Sequence, residues 1–280
     1  MNFKVESTLQ YEVKEDSTII LNISAAKTVT QTIMEESISF LPSLPSEELI
    51  TCDRTSRQLR IECAPTKSLS ITYKALVHHS VQLIDKKHLT LVAISALPPD
   101  VLPFLLPSRY CQSDKLLRLA QDKFGAIAHP YDRVVAICQW INKNVDYVSG
   151  STDSDTSAFD TVTQREGVCR DFAHLGIALC RALTIPARYL SCYAYQLSPP
   201  DYHACFEVYL GGKWIVFDPT KLAPLNGLIK IGTGRDATDV AVASMYGNVQ
   251  FTSMEVSCQV QDDHFQPLFL KDLEHRGLSL

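Results

Sequence analysis

Gly211-Gly212 lies between two alternating apolar runs, Tyr202 to Leu210 and Lys213 to Asp218. A glycine pair in that setting signals a two-residue β-hairpin. So short a loop constrains the pairing of everything on either side of it. Counting outward from Leu210 opposite Lys213 sets Asp218 opposite Cys205. His203 then shares a face with Asp218, on the diagonal. Diagonal cross-strand neighbours are roughly 7–8 Å apart at the backbone, within reach of a carboxylate for an imidazole. One more residue in the loop would reverse the parity and separate the two side chains.

A second signal precedes this hairpin. Gly167-Val168-Cys169 leads into Phe172, Leu175, Leu179 and Leu183, apolar residues that recur at helical spacing. That spacing predicts a helix starting at or near Cys169. The unpaired N–H groups and positive dipole end of a helix start favour thiolate over thiol. The chain therefore offers a candidate nucleophile, Cys169, a candidate base, His203, and a carboxylate, Asp218, to orient that base. Each residue also has an ordinary reading. A cysteine among nine is commonly a small buried hydrophobe, and a strand histidine is commonly hydrogen-bonded in a core. Asp218-Pro219 is commonly a turn. The order of helix-start thiol, hairpin imidazole and hairpin carboxylate is much harder to obtain by chance.

The stretch GVCRDFAHLGIALCRALTIPARYLSCY, followed by DYHACFEVYLGGKWIVFDPT, resembles the core of the transglutaminase-like superfamily. The likeness continues through Leu228 to Val240, where GRDA and then Asp239-Val240 match a segment of the bacterial branch. It implies a papain-like cysteine enzyme with Cys169 as nucleophile, His203 as general base and acid, and Asp218 as the residue orienting His203. Cys205 departs from the family, which usually has Trp at that position. The exchange thins the hydrophobic cover expected over the triad and brings a second thiol near it, so Cys205 is expected in the site wall. The resemblance also implies an aromatic near the active site. Trp140 and Tyr147 flank a helix end where such a residue could stand, although core packing suits both.

Oxyanion stabilisation is expected from the backbone N–H of Cys169, because helix-start amides point outward. Gln164, five residues before the thiol, is a further oxyanion candidate by papain-like spacing. Arg170 and Asp171 are expected to anchor the helix start rather than react. Zinc is disfavoured, although His203, Cys205, Cys192 and Cys169 could converge. The chain has no Cys-x-x-Cys pair and no His-Glu-x-x-His motif, and no cofactor is expected.

The 280 residues suit two domains of ordinary size, and 46% hydrophobic with 20% charged residues is usual for a soluble globular protein. Twenty-six basic against 31 acidic residues leave a net charge of −5. There is no basic run of the kind nucleic-acid binding needs. Met1 to Glu6 lacks the apolar core of a signal peptide, and charged residues and histidines break the stretch from Ile71 to Leu97 before it reaches membrane-spanning length. An odd count of nine cysteines without paired spacing suits reduced thiols. A cytoplasmic protein without nucleic-acid or membrane partners is the expectation.

Residues 1 to about 97 read as strands: Phe3 to Val5, Leu9 to Val13, Thr18 to Ile23, Leu59 to Cys63 and Ser68 to Tyr73. Pro42, Pro45, Asp53 and Pro65 punctuate them. Prolines at 98, 99, 103 and 107 mark a boundary. Beyond it, Ser113-Asp114 caps a helix over Lys115 to Phe124. Pro130 opens another, with Val134, Ile137, Cys138 and Ile141 as its apolar stripe. Residues 149–157 form a polar loop that is a candidate rim or lid. Val240 to Val242 and Val249 to Val260 read as later strands. The expected architecture is α+β: an antiparallel β-sandwich over residues 1–105, then a papain-like catalytic domain over 106–280. The expected activity is cysteine-dependent acyl transfer on a peptide or protein, by a protease or amidase. A protein-glutamine transglutaminase, or a non-catalytic module of the same fold, is the alternative.

Overall fold

The computed structural model describes residues 1–50 and 56–280. Asp53, expected in a turn, and Cys52 lie outside the described residues. The N-terminal stretch forms β1 (Asn2–Val13), β2 (Ser17–Leu21), β3 (Gln31–Leu41), β4 (Ser46–Ile50), β5 (Arg57–Cys63) and β6 (Thr66–His79). Alternating burial along β1, β2, β5 and β6 puts one face of each into a shared core of Phe3, Val5, Leu9, Ile19, Ile61 and Ile71. The two expected strands before residue 14 are one continuous β1.

The helices are α1 (Leu117–Phe124), α2 (Pro130–Asn144), α3 (Ala158–Gln164) and α4 (Cys169–Ala182). Pro130 sits at the first turn of α2, and Val134, Ile137, Cys138 and Ile141 are buried on one stripe, as their spacing implies. Ser113 to Lys115 form a short 3₁₀ turn, so α1 starts two residues later than expected. The α4 helix is buried on all sides from Asp171 to Ala182, well beyond the expected stripe. Gly176 permits this closeness, since a Cβ there would meet the Phe206 ring at 2.5 Å.

The sheet behind α4 comprises β10 (Ala187–Ala194), β11 (Tyr202–Leu210), β12 (Lys213–Phe217) and β13 (Leu228–Gly234), in the antiparallel order β12-β11-β10-β13. Leu210 pairs with Lys213 and Phe206 with Phe217, the register inferred from the glycine pair. Both glycines have positive φ, 57° and 79°, and Gly211 lies so close to the His88 carbonyl that a Cβ would reach within 2.0 Å of it.

The sheets do not follow the expected division at residue 105. Here β14 (Ala243–Tyr246) pairs with β2, and β15 (Val249–Val260) pairs with β1, so the late chain completes both sandwich sheets. Conversely β7 (Gln82–Asp85) pairs with β16 (Arg276–Ser279), and Leu89 belongs to the core around α4. Tyr193, Tyr202, Ile229 and Ile231 of the α4 sheet pack into the sandwich core. Val240 to Val242 are not a strand; β14 begins one residue later. No helix among the described residues is long and apolar enough to cross a membrane.

Candidate active site

Cys169 is the first residue of α4, with extended Val168 as its cap. The start is fixed by Asp171, whose Oδ2 accepts the Val168 N–H at 2.9 Å and the Thr152 hydroxyl at 2.8 Å. Gly167 makes room for that carboxylate, since a Cβ would lie 2.8 Å from the Asp171 Cβ. Arg170 pairs with Asp171 and donates to the Asp153 carbonyl. Arg170 and Asp171 thus anchor the helix to the polar loop at 149–157, and Ser154 of that loop lines the cleft above the thiol.

His203 and Asp218 are both buried, and His203 Nε2 lies 2.9 Å from Asp218 Oδ2. The other carboxylate oxygen accepts the Thr220 N–H at 2.8 Å and its hydroxyl at 2.7 Å, which holds Asp218 in orientation. Among the described residues His203 Nδ1 has no hydrogen-bond partner, and the Cys169 thiol is close enough to act on the imidazole electrostatically. Burial by itself would push the imidazolium down. The Asp218 carboxylate and the neighbouring thiol more than offset that, and hold its pKa well above the usual histidine value.

Tyr147 is the aromatic at the thiol. The short parallel bridge of β8 (Asp146–Tyr147) with β9 (Glu166–Gly167) carries it there. Its side chain lies near Cys169 and packs against Phe172. Burial and the Cys169 thiol raise its pKa. Trp140, by contrast, packs edge-on to Phe124 against the core and does not line the cleft. Gln164 ends α3 with an exposed side chain, also away from the cleft. Cys205 is buried in the core beside Cys192 and forms no part of the cleft wall. Its Sγ lies with a His203 ring nitrogen and an Asp218 oxygen, all within 4.8 Å of one another.

The cleft over Cys169 has a volume of about 630 Å³ and runs from Cys169 and His203 to the sandwich. Asp201 stands in it. Burial raises the pKa of its carboxyl, and one oxygen accepts the Tyr202 N–H at 2.6 Å. Leu9, Tyr11, Phe251 and Met254 form its far wall. None of these five was legible as a site residue in the sequence, since no motif marks them. Thr220 was visible only as the end of FDPT.

Residues 118–219 match the family described as the transglutaminase-like superfamily, and residues 1–100 match the bacterial transglutaminase N-terminal domain. The solved structure of a candidate cysteine protease from Cytophaga hutchinsonii is 51% identical, with a TM-score of 0.97, covering 100% of this chain and 97% of that one. Among curated relatives, uncharacterized protein ML0607 of Mycobacterium leprae is 29% identical over 212 residues, 70% of this chain and 75% of its own length. Uncharacterized protein Rv2569c of Mycobacterium tuberculosis is 34% identical over 131 residues, 41% of this chain and 42% of its own.

Proposed function

The chain belongs to the transglutaminase-like superfamily, and we propose that it is a cysteine-dependent acyl-transfer enzyme, a protease or amidase, with Cys169, His203 and Asp218 as its catalytic group. One observation carries this reading. His203 gives one ring nitrogen to Asp218 and leaves Nδ1 for a thiol at the first turn of a buried helix. Histidine takes the thiol proton, and the thiolate attacks an amide carbonyl to form a C–S bond. The oxyanion is met by the Cys169 N–H at the start of α4. The C–N bond breaks as the imidazolium protonates the departing amine. Water, deprotonated by His203, then cleaves the thioester to a carboxylate and restores the thiol.

Asp201 favours a second reading. Its carboxylate in the cleft is suited to holding an ammonium group, which, once His203 has taken its proton, replaces water as acceptor and makes the enzyme a transamidase. A panel of fluorogenic amides, with and without a primary amine, tests both. Turnover that vanishes in Cys169→Ala is expected, with free acid as the main product. Turnover persisting in that variant would overturn the assignment, and amide product dominating would move it to transamidation.

A further inference from the structure

The strand that lines the far side of the cleft carries an irregularity with a functional consequence. Along β1 and β15, Leu9 pairs with Met254 and Gln10 with Ser253, and then the register slips so that Tyr11 pairs with Phe251. Thr252 is left over as a bulge. Met254 and Phe251 are three residues apart, a spacing that sends side chains to opposite faces of a regular strand. The bulge cancels that parity and turns both toward the cleft, opposite Leu9 and Tyr11, which share a face as next-but-one neighbours. Bulges beside sites re-aim side chains in this way.

The result is a two-by-two apolar patch. Phe251 packs edge-on to Tyr11 with ring centroids 5.9 Å apart. Phe251 is still 48% exposed, and Met245 of β14, also in the cleft, is 42% exposed. Large apolar side chains left open to water within a cleft gain from being covered, and the methionines adapt to the shape of whatever covers them. The charged residues lining the cleft, Arg170 and Asp201, lie at the other end, beside Cys169 and His203. The arrangement is polar at the reacting carbonyl and apolar where a neighbouring side chain would extend.

We propose that the cleft selects acyl substrates with a large apolar side chain, aromatic or of leucine or methionine size, on the residue bearing the reacting carbonyl or the one before it. The bulged β15 of the sandwich supplies the pocket. This rests on Cys169 being the acylated nucleophile.

The test uses dipeptidyl chloromethyl ketones carrying Phe, Leu, Ala, Asp or Lys at each of the two positions. Alkylation of Cys169 is followed by mass spectrometry, with iodoacetamide as a probe lacking a side chain. Phe and Leu at one position should react on the order of 10–100-fold faster than Ala, with Asp slowest. Phe251→Ala and Met245→Ala alter half-exposed residues, so folding should persist. They should reduce that preference by about tenfold while the iodoacetamide rate stays unchanged. Equal rates for Phe, Asp and Lys at both positions, or a preference intact in both variants, would overturn the inference. Failure of iodoacetamide to reach Cys169 would instead overturn the nucleophile assignment on which it rests.

Discussion

Leu9 of β1 lies opposite Met254 of β15, so residues from the two ends of the chain form one wall of the cleft over Cys169. The sandwich is therefore part of the site's construction. Its core also receives Tyr193, Tyr202, Ile229 and Ile231 from the sheet that carries His203. Deleting residues 1–105 would strip β14 and β15 of their partners and uncover those side chains. The remaining chain should lose near-UV circular dichroism, bind a hydrophobic dye and unfold without a cooperative transition. A sharp transition with a native spectrum would show that residues 106–280 fold alone.

Cys169 should be the first thiol alkylated near neutral pH. Apart from Cys258, the other cysteines among the described residues are buried. Desolvation pushes the thiol pKa up at half-buried Cys258 and at buried Cys138, Cys180 and Cys205, and to about 12 at Cys111. Peptide mapping after limiting iodoacetamide checks the order; Cys205 or Cys258 leading would contradict it.

Asp218→Asn should lower turnover on the order of 10–10³-fold in a folded protein, because an amide can hold the imidazole in the wrong tautomer. Thr220→Val should cost less, since it removes one hydroxyl donor to Asp218 and leaves the N–H. The pH profile gives an independent readout. Asp218 raises the His203 pKa, so the imidazolium persists above the usual histidine range and the alkaline limb of activity lies correspondingly high. Removing the negative charge should move that limb to lower pH. Cys169 and Asp201 remain near the ring in both forms. An unmoved limb would mean that another group titrates there.

Glu207→Gln should be among the more destabilising single changes. The Glu207 carboxylate is buried, 2.8 Å from Lys230 Nζ and 2.7 Å from Arg188 Nη2, and joins three strands of the central sheet. Removing it leaves a buried ammonium uncompensated, at a cost of about 3–5 kcal/mol. Burial alone would raise this carboxyl, yet the two cations hold it below its usual range. Its contribution is thus present above the ordinary glutamate pKa and lost as pH falls through the lowered one. Urea melts at neutral pH should show the full difference between the two proteins, shrinking in acid. Equal midpoints would contradict the assigned role.

Much of the placement of Cys169, His203 and Asp218 is legible along the chain because it depends on local rules. Gly211-Gly212 dictates a tight turn, the turn dictates register, and register places His203 against Asp218; Gly167-Val168-Cys169 before an apolar period marks the start of α4. Strands with alternating burial were legible for the same reason. By contrast, β3 and β4 expose most of their residues and so carry little alternation, and α3 is too short to show a period.

What the sequence by itself determined is thus the local geometry, the thiol at its helix start and the imidazole beside its carboxylate. Which strands close the sandwich, that Tyr147 comes near Cys169, that Trp140, Gln164 and Cys205 stand away from the cleft, and that a bulge turns Phe251 toward it were decided only by the tertiary structure. Those features depend on pairing between segments as far apart as Phe3 and Val260. A backbone ladder forms between any two strands that meet, so the side chains of either one do not name its partner.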